Sequence, residues 1–255
     1  MRLRSVPLAF CLCLLAGAPA RAQEPQTKTD SDLTRPILYS IRPEYFRVAD
    51  GIWRMQVVSR YDTAIRRNRL WLGGKRGMLI RVELPVATAE APSAGTHSGL
   101  GDAYAQVLSI PYNNGRFAYV LGTGILLPTA TDRILGTGKV TLAPAFAPIW
   151  FLRGRGMFYV KLQDFISVAG AEDRPDASFF LITPTLMHTL PGRSWILVDT
   201  ETTTNWHQDG KTGVKSGVQF GRIAHGFGLW VKPEVWWGPN RAGRWNLKTG
   251  FVIYR

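Results

Sequence analysis

The chain has 255 residues, and its 31 lysines and arginines against 18 aspartates and glutamates give a formal net charge of +13. An apolar content of 45% excludes a disordered chain. No stretch beyond the N-terminal segment holds eighteen apolar residues, so a membrane crossing, if there is one, must be made by strands.

In chain order, the first element is an export signal. Arg2 and Arg4 form a basic start, Val6 to Leu15 an apolar core, and Ala20-Arg21-Ala22 a small-x-small cleavage site, which predicts removal of residues 1–22 and a mature chain beginning at Gln23. Both cysteines, Cys11 and Cys13, fall inside this segment without the small residues of a lipoprotein signal before them. Disulfides and thiolate metal sites are therefore excluded from the mature chain. Loss of the three signal arginines leaves 28 positive against 18 negative charges, an excess of +10. The basic residues are dispersed and no nucleic-acid motif is present, so the expected contacts are anionic lipid headgroups or a cationic lumen, not nucleic acid. Residues 23–35 are polar and aperiodic and predict a flexible periplasmic lead.

From residue 36 to 255 the chain alternates apolar and polar positions in stretches of about ten residues. Twelve strands are predicted, at Pro36–Phe46, Ile52–Tyr61, Met78–Val86, Leu100–Ile110, Arg116–Pro128, Lys139–Phe151, Arg155–Val168, Ala177–Thr189, Trp195–Thr204, Val214–Ile223, Phe227–Trp237 and Trp245–Arg255. The connections Pro111–Gly115, Arg153–Gly154, Thr189–Arg193 and Ala224–Gly226 are tight turns. Between them fall the longer loops Ala87–Gly99, Thr129–Gly138, Ala169–Asp176, Asn205–Gly213 and Gly238–Arg244. Short periplasmic turns alternating with longer extracellular loops give the predicted fold class: all-β, an antiparallel transmembrane β-barrel of about twelve strands in the outer membrane of a Gram-negative bacterium. Its partners would be outer-membrane lipid, the barrel assembly machinery and a small solute. Arg66–Gly77 is the exception, being long, basic and Gly-rich where a short turn is expected.

A strand has period two, so the faces can be assigned. Met78, Ile80, Val82, Leu84 and Val86 oppose Arg81 and Glu83; Trp53, Met55, Val57 and Tyr61 oppose Arg54, Gln56 and Arg60. Phe158, Val160, Leu162 and Ile166 oppose Tyr159, Lys161 and Gln163, and the pattern continues at Leu229 to Trp237 and Trp245 to Ile253. A membrane barrel turns the apolar face out. Trp150, Trp195, Trp236, Trp237 and Trp245, near strand ends, are expected in the interfacial girdles. Asp164, in the apolar register, and Pro144, Pro148, Pro184 and Pro233, inside strands, run against the pattern and predict bulges or weakened strands. Lys248, Gly250 and Ile253 fit the terminal-strand signature that assembly machinery reads, although Arg255 stands where an aromatic is usual.

The expected lumen then carries Arg54, Arg60, Arg81, Arg116, Lys139, Lys161, Lys215, Lys232 and Lys248 against Glu83, Asp102, Asp199, Glu201 and Glu234. Two readings follow: a pore favouring anions or polar solutes, or an ion-pair network filling a narrow barrel. Ala118, Gly122, Gly124, Ala143, Ala145 and Ala147 are small inward positions that leave room for a solute, an inserted loop or the lead.

Particular strings carry a resemblance. Gly99-Leu100-Gly101-Asp102, Pro128-Thr129-Ala130-Thr131-Asp132, Leu135-Gly136-Thr137-Gly138-Lys139, Asn205-Trp206 and the spaced Gly213, Gly217 and Gly221 resemble the family named for the meta-pathway of phenol degradation, over most of the chain from about Ile52. The resemblance implies an exported outer-membrane barrel that moves small molecules, hydrophobic aromatics among them, and brings no catalytic or binding residues with it. Gly136 to Lys139 is not a phosphate loop, since Arg133 occupies the first glycine position and Val140 follows the lysine. No catalytic constellation, metal ligand set or cofactor is expected. His97 and His207 sit in loops, His225 in a turn and His188 on the lipid-facing register. The expected function is a channel or transporter for small solutes; a lipid-modifying barrel enzyme and a non-conducting structural or ligand-binding barrel remain open. A Ser or Asp beside His188 or His207 would favour the enzyme, and a lumen closed by ion pairs the structural barrel.

Overall fold

A chain with one ionic and one apolar face has to curl so that one of them is enclosed, and closing a single sheet on itself also satisfies every strand edge. The computed structural model describes residues 37–65, 78–91, 95–206 and 210–254. Its strands are β1 (Tyr39–Ala49), β2 (Ile52–Ile65), β3 (Met78–Ala91), β4 (Gly95–Leu100), β5 (Ala103–Asn113), β6 (Phe117–Leu127), β7 (Lys139–Leu152), β8 (Gly156–Gly170), β9 (Ser178–Leu190), β10 (Ser194–Asn205), β11 (Lys211–Ala224), β12 (Phe227–Trp237) and β13 (Trp245–Ile253). All pairings are antiparallel between neighbours, and β1 pairs with both β13 and β2 while β2 pairs with β3, which closes the sheet. β4 pairs with the upper part of β3 and β5 with its lower part, so β4 and β5 form one stave broken at Gly101 and Asp102. The barrel is twelve-stranded.

The predicted strands are present with shifted ends. Ala87–Gly99, expected as a loop, is largely a hairpin: β3 runs on to Ala91 and β4 returns from Gly95, because Ala87 and Ala89 have a core to pack against in Leu135. Arg116, expected on a strand wall, lies in the turn before β6 and is exposed; the Asn114 carboxamide oxygen captures the Arg116 and Phe117 amides and delays the strand. β1 and β2 are joined by the two residues Asp50 and Gly51, a short connection on the side where the other joints are long; Gly51 has φ 73°, which suits glycine. The lead, the export signal, Arg66–Gly77, His207 and Arg255 lie outside the described residues.

The strand prolines neither end strands nor make bulges. Pro144, Pro148, Pro184 and Pro233 sit in the outward register within continuous strands, and the ladder lapses beside each for want of an N–H. The lapses lie between Leu142 and Ala145 and between Phe146 and Ile149 on β7–β8, between Ile182 and Thr185 on β9–β10, and between Gly217 and Phe220 on β11–β12.

Outside, Met55, Val82, Leu84, Val86, Leu121, Leu142, Leu186, Val198, Phe220, Leu229, Val231 and Val235 are exposed around the whole circumference. A soluble protein does not present an apolar belt of that extent. Aromatic clusters flank it: Tyr45 with Trp53 and Trp245 at the loop end, and Tyr112, Phe117, Tyr119, Trp150 and Phe158 at the turn end.

Inside, the half nearest the tight turns is an apolar core. Leu108, Ala118, Val120, Ala147, Ile149, Met157, Tyr159, Met187 and Leu197 form one cluster, and Ile37, Trp195, Trp230 and Val252 another. Trp195, expected in a girdle, is here fully buried. Trp236 also departs from the girdle, lying beneath Lys215 on the face opposite the exposed Val235 and Trp237. Inward glycines explain how the rings fit. Trp195 lies over its cross-strand partner Gly221, Trp230 over its partner Gly250, and the Tyr104 ring over Gly124, leaving no room for a Cβ at any of the three. Of the small wall positions read as room, Gly124 is covered by the Tyr104 ring and Gly122 is crowded by Val107 and Leu108. Gly221→Ala and Gly250→Ala should each cost about 1–3 kcal/mol through overpacking. The midpoint of urea unfolding in lipid vesicles measures this, and unchanged midpoints would show that the rings can move aside.

Candidate functional site

Enclosing charged side chains requires each to find a counter-charge within the same lumen. On β1, β2 and β3, Asp62 receives two hydrogen bonds from Arg60, at 2.9 and 2.6 Å, and two from Arg81, at 3.0 and 3.3 Å. Arg42 bridges Glu44 and Glu83, and Gln56 donates to Glu44. On β10 to β13 the centre is Glu234, with Lys232 and Lys248 both at 3.0 Å, Lys215 at 3.8 Å and the Asn246 amide donating at 3.1 Å. Lys215 also pairs with Glu201 at 3.0 Å and stands over the Trp236 ring, and Lys232 pairs with Asp199. Because Glu44 lies opposite Lys248 in the β1–β13 register, the two networks join into one ionic wall.

The structure therefore brings together Arg60, Arg81, Glu83, Lys161, Asp199, Glu201, Lys232, Glu234 and Lys248 around a central cavity of about 460 Å³. Lys215 lies behind it, held by its carboxylates. Arg54 and Asp102 line a second cavity of about 380 Å³ at the mouth, and Lys139 pairs at the rim with Asp176 at 2.8 Å. Arg116 takes no part. Sequence reasoning missed Arg42 and Glu44, which alternate with Ile41, Pro43 and Tyr45 on the first strand, where that alternation would have revealed them. It also missed Asp62, which lies one residue beyond the expected strand end. Two carboxylates and one guanidinium join the lumen while Arg116 leaves it, so the interior is closer to neutral than expected.

The opposite wall, β5 to β9, is built differently. Its inward positions are mostly small or neutral, among them Gln106, Gly122, Gly124, Ala143, Ala145, Ala147, Gln163, Thr183 and Thr185. Below the rim, Lys161 is the ion of this wall. Among the described residues it has no ion pair or hydrogen bond, whereas the lysines across the cavity are paired.

The loop between β6 and β7 folds into the mouth. Leu135, only 1% exposed, packs on Ala87 and Ala89, and its carbonyl accepts from Arg54 Nη2 at 3.1 Å. Asp102 accepts from the Thr137 amide at 2.6 Å, the Thr137 hydroxyl at 2.8 Å and the Ala130 amide at 3.2 Å. Arg174 spans the loop from outside, reaching the carbonyls of Arg133, Gly136 and Thr137. His97 Nδ1 meets Asp132 Oδ2 at 2.6 Å. The Asp132 carboxyl is held below the ordinary aspartate range, first by the Ile134 amide and then by His97. The mouth and central cavities share Arg42, Glu83, Tyr104 and Leu126, so they meet beneath this loop.

Among the described residues neither Ser nor Asp hydrogen-bonds His188, which is exposed on the outer face in register with Gly156 and Ile196. Among the described residues no cluster of three metal-ligating side chains occurs.

The closed barrel has solved counterparts. It is similar to the KdgM porin, with a TM-score of 0.54 at 10% identity over 85% of this chain and 99% of that chain. It is also similar to the NanC porin, with a TM-score of 0.60 at 8% identity over 85% of this chain and 100% of that chain. The chain has the fold of these porins. A further KdgM porin structure, solved in complex with disordered oligogalacturonate, gives a TM-score of 0.51 at 10% identity over 85% of this chain and 99% of that chain. No family model and no curated protein matches the sequence.

Two outcomes test this site. Glu234→Leu removes the shared partner of three lysines and should destabilise the barrel by about 3–5 kcal/mol, the usual cost of stranding buried charge, read as an earlier urea midpoint. For Asp132, a depressed folded-state pKa means that its hold on the loop is complete above the ordinary aspartate value of about 3.9 and is lost as pH falls below it. A carbon-13 titration of this carboxyl should give a midpoint below that value. His97→Ala should raise the midpoint without restoring it fully, because the Ile134 amide remains.

Proposed function

We propose that this protein is an outer-membrane channel for small solutes, gated at its periplasmic end and entered from the loop end. One observation carries the reading: ions line the inside of a closed barrel whose outside is a continuous apolar belt. That inverted distribution suits a lipid-embedded wall around a polar path. The export signal at residues 1–22 and the porin fold support the location in a Gram-negative outer membrane, with the barrel assembly machinery as the insertion partner.

Selection would fall to Arg54 and Asp102 at the mouth, then to Arg60, Arg81, Glu83, Lys161, Asp199, Glu201, Lys232, Glu234 and Lys248 around the central cavity, with Lys215 behind them. The tryptophan and methionine packing below them is the gate. Tyr104, Tyr159 and Phe165 beside the charged groups support aromatic compounds as cargo, in line with the resemblance to the meta-pathway family. The packed turn half favours a second reading, a closed barrel that binds a ligand without passing it.

Planar-bilayer recording of the refolded mature chain separates the two. The wild type should insert and stay closed for most of the record, and Trp195→Ala combined with Trp230→Ala should give steady steps. If the double variant inserts, migrates as a heat-modifiable barrel and still passes no current, the channel reading fails and the closed barrel stands.

A further inference from the structure

The lumen is divided into a wall of paired ions and a wall carrying one unpaired cation, and that division points to a ligand. Lys161 has small neighbours in its own layer, Ala147 on β7 and Thr183 on β9. It opens directly onto the central cavity of about 460 Å³. Below it on the same strand stands Tyr159, part of the apolar floor. Thr183, paired in register with Lys161, lines the same cavity and is 7% exposed, and its hydroxyl is buried without a hydrogen-bond partner. Enclosed polar groups are normally satisfied, so a cation without a salt bridge beside a buried hydroxyl without a partner marks a place that a ligand would complete. Across the cavity every lysine already has a carboxylate in contact, whereas Glu201 attracts Lys161 only from beyond salt-bridge distance, so an incoming anion finds its vacancy at Lys161.

We propose that Lys161 and Thr183 form a binding site for a small monocarboxylate with an apolar body. The carboxylate would take the Lys161 ammonium and the Thr183 hydroxyl, and the body would rest on Leu108, Val120, Tyr159 and Leu197. A dianion is disfavoured, because Glu201 stands next to Thr183 across the β9–β10 seam and one cation is free, not two. Entry is from the mouth, past Arg42 and Tyr104, which line both cavities. The inference deepens the channel reading by naming its substrate class, but the site needs only the cavity and not an open gate.

Calorimetric titration of the full mature chain refolded in detergent tests it, with benzoate as the probe, acetate as the head without the body and benzamide as the body without the charge. Benzoate should bind at a one-to-one ratio, acetate and benzamide each at least tenfold more weakly. Lys161→Met should weaken benzoate binding at least tenfold and Lys161→Arg should restore most of it. Thr183→Val should weaken it severalfold, while Lys211→Met, which removes an exposed charge at the loop end, should leave it unchanged. Heat-modifiable migration confirms that each variant is folded. Equal binding of benzoate and benzamide, or benzoate binding untouched by Lys161→Met, would overturn the proposal. The two readings fail separately: benzoate binding to a barrel that never conducts removes the channel and keeps the site, and conductance without Lys161-dependent binding removes the site and keeps the channel.

Discussion

The structure depends on neutralising charge within a wall that offers no other solvent. With apolar side chains outside, a carboxylate at Asp62 or Glu234 has only the lumen from which to draw partners, and each has drawn cations from more than one strand. The resulting contacts run through β2 and β3 on one side and through β11, β12 and β13 on the other, and they meet across the β1–β13 seam where the barrel closes. Most pairs lie within a strand or between neighbouring strands, while Arg42–Glu83 and Lys232–Asp199 reach across an intervening strand and tie the wall together.

The same geometry explains why the two ends of the lumen differ. Near the tight turns the inward residues are large and apolar, and glycine on the adjacent strand lets an indole lie flat against the wall. Near the loops they are charged and the interior holds cavities. From the mouth inward come Leu135 and the loop held by Arg54 and Asp102, then the ionic layer, then the apolar floor, so polarity falls along the lumen.

Much of this was legible in the residues. Alternation in Met78–Val86 and Ile52–Tyr61 assigned both faces correctly, and the order of short and long connections located the turn end and the loop end. What was not legible involved partners distant in sequence. Arg116 has the alternation of a strand residue, but a local Asn114 hydrogen bond keeps it in the turn. Trp195 and Trp236 have the position of girdle residues, but Gly221 opens a space for one inside and Lys215 covers the other. The glycines at 122 and 124 read as vacant room, whereas Val107 and Leu108 crowd the first and Tyr104 fills the second.

The sequence by itself determined the all-β class, the strand count, the two faces of its most regular strands and the ionic character of the lumen, because period-two alternation and turn chemistry are local properties of the chain. Only the tertiary structure decided which ions pair, that Lys161 is left over, that the loop from Thr129 to Gly138 folds inward and that the turn half is packed. Those are set by register between strands and by the curvature of a closed sheet, which bring together side chains as far apart in sequence as Glu44 and Lys248. No local pattern encodes the distance between such a pair.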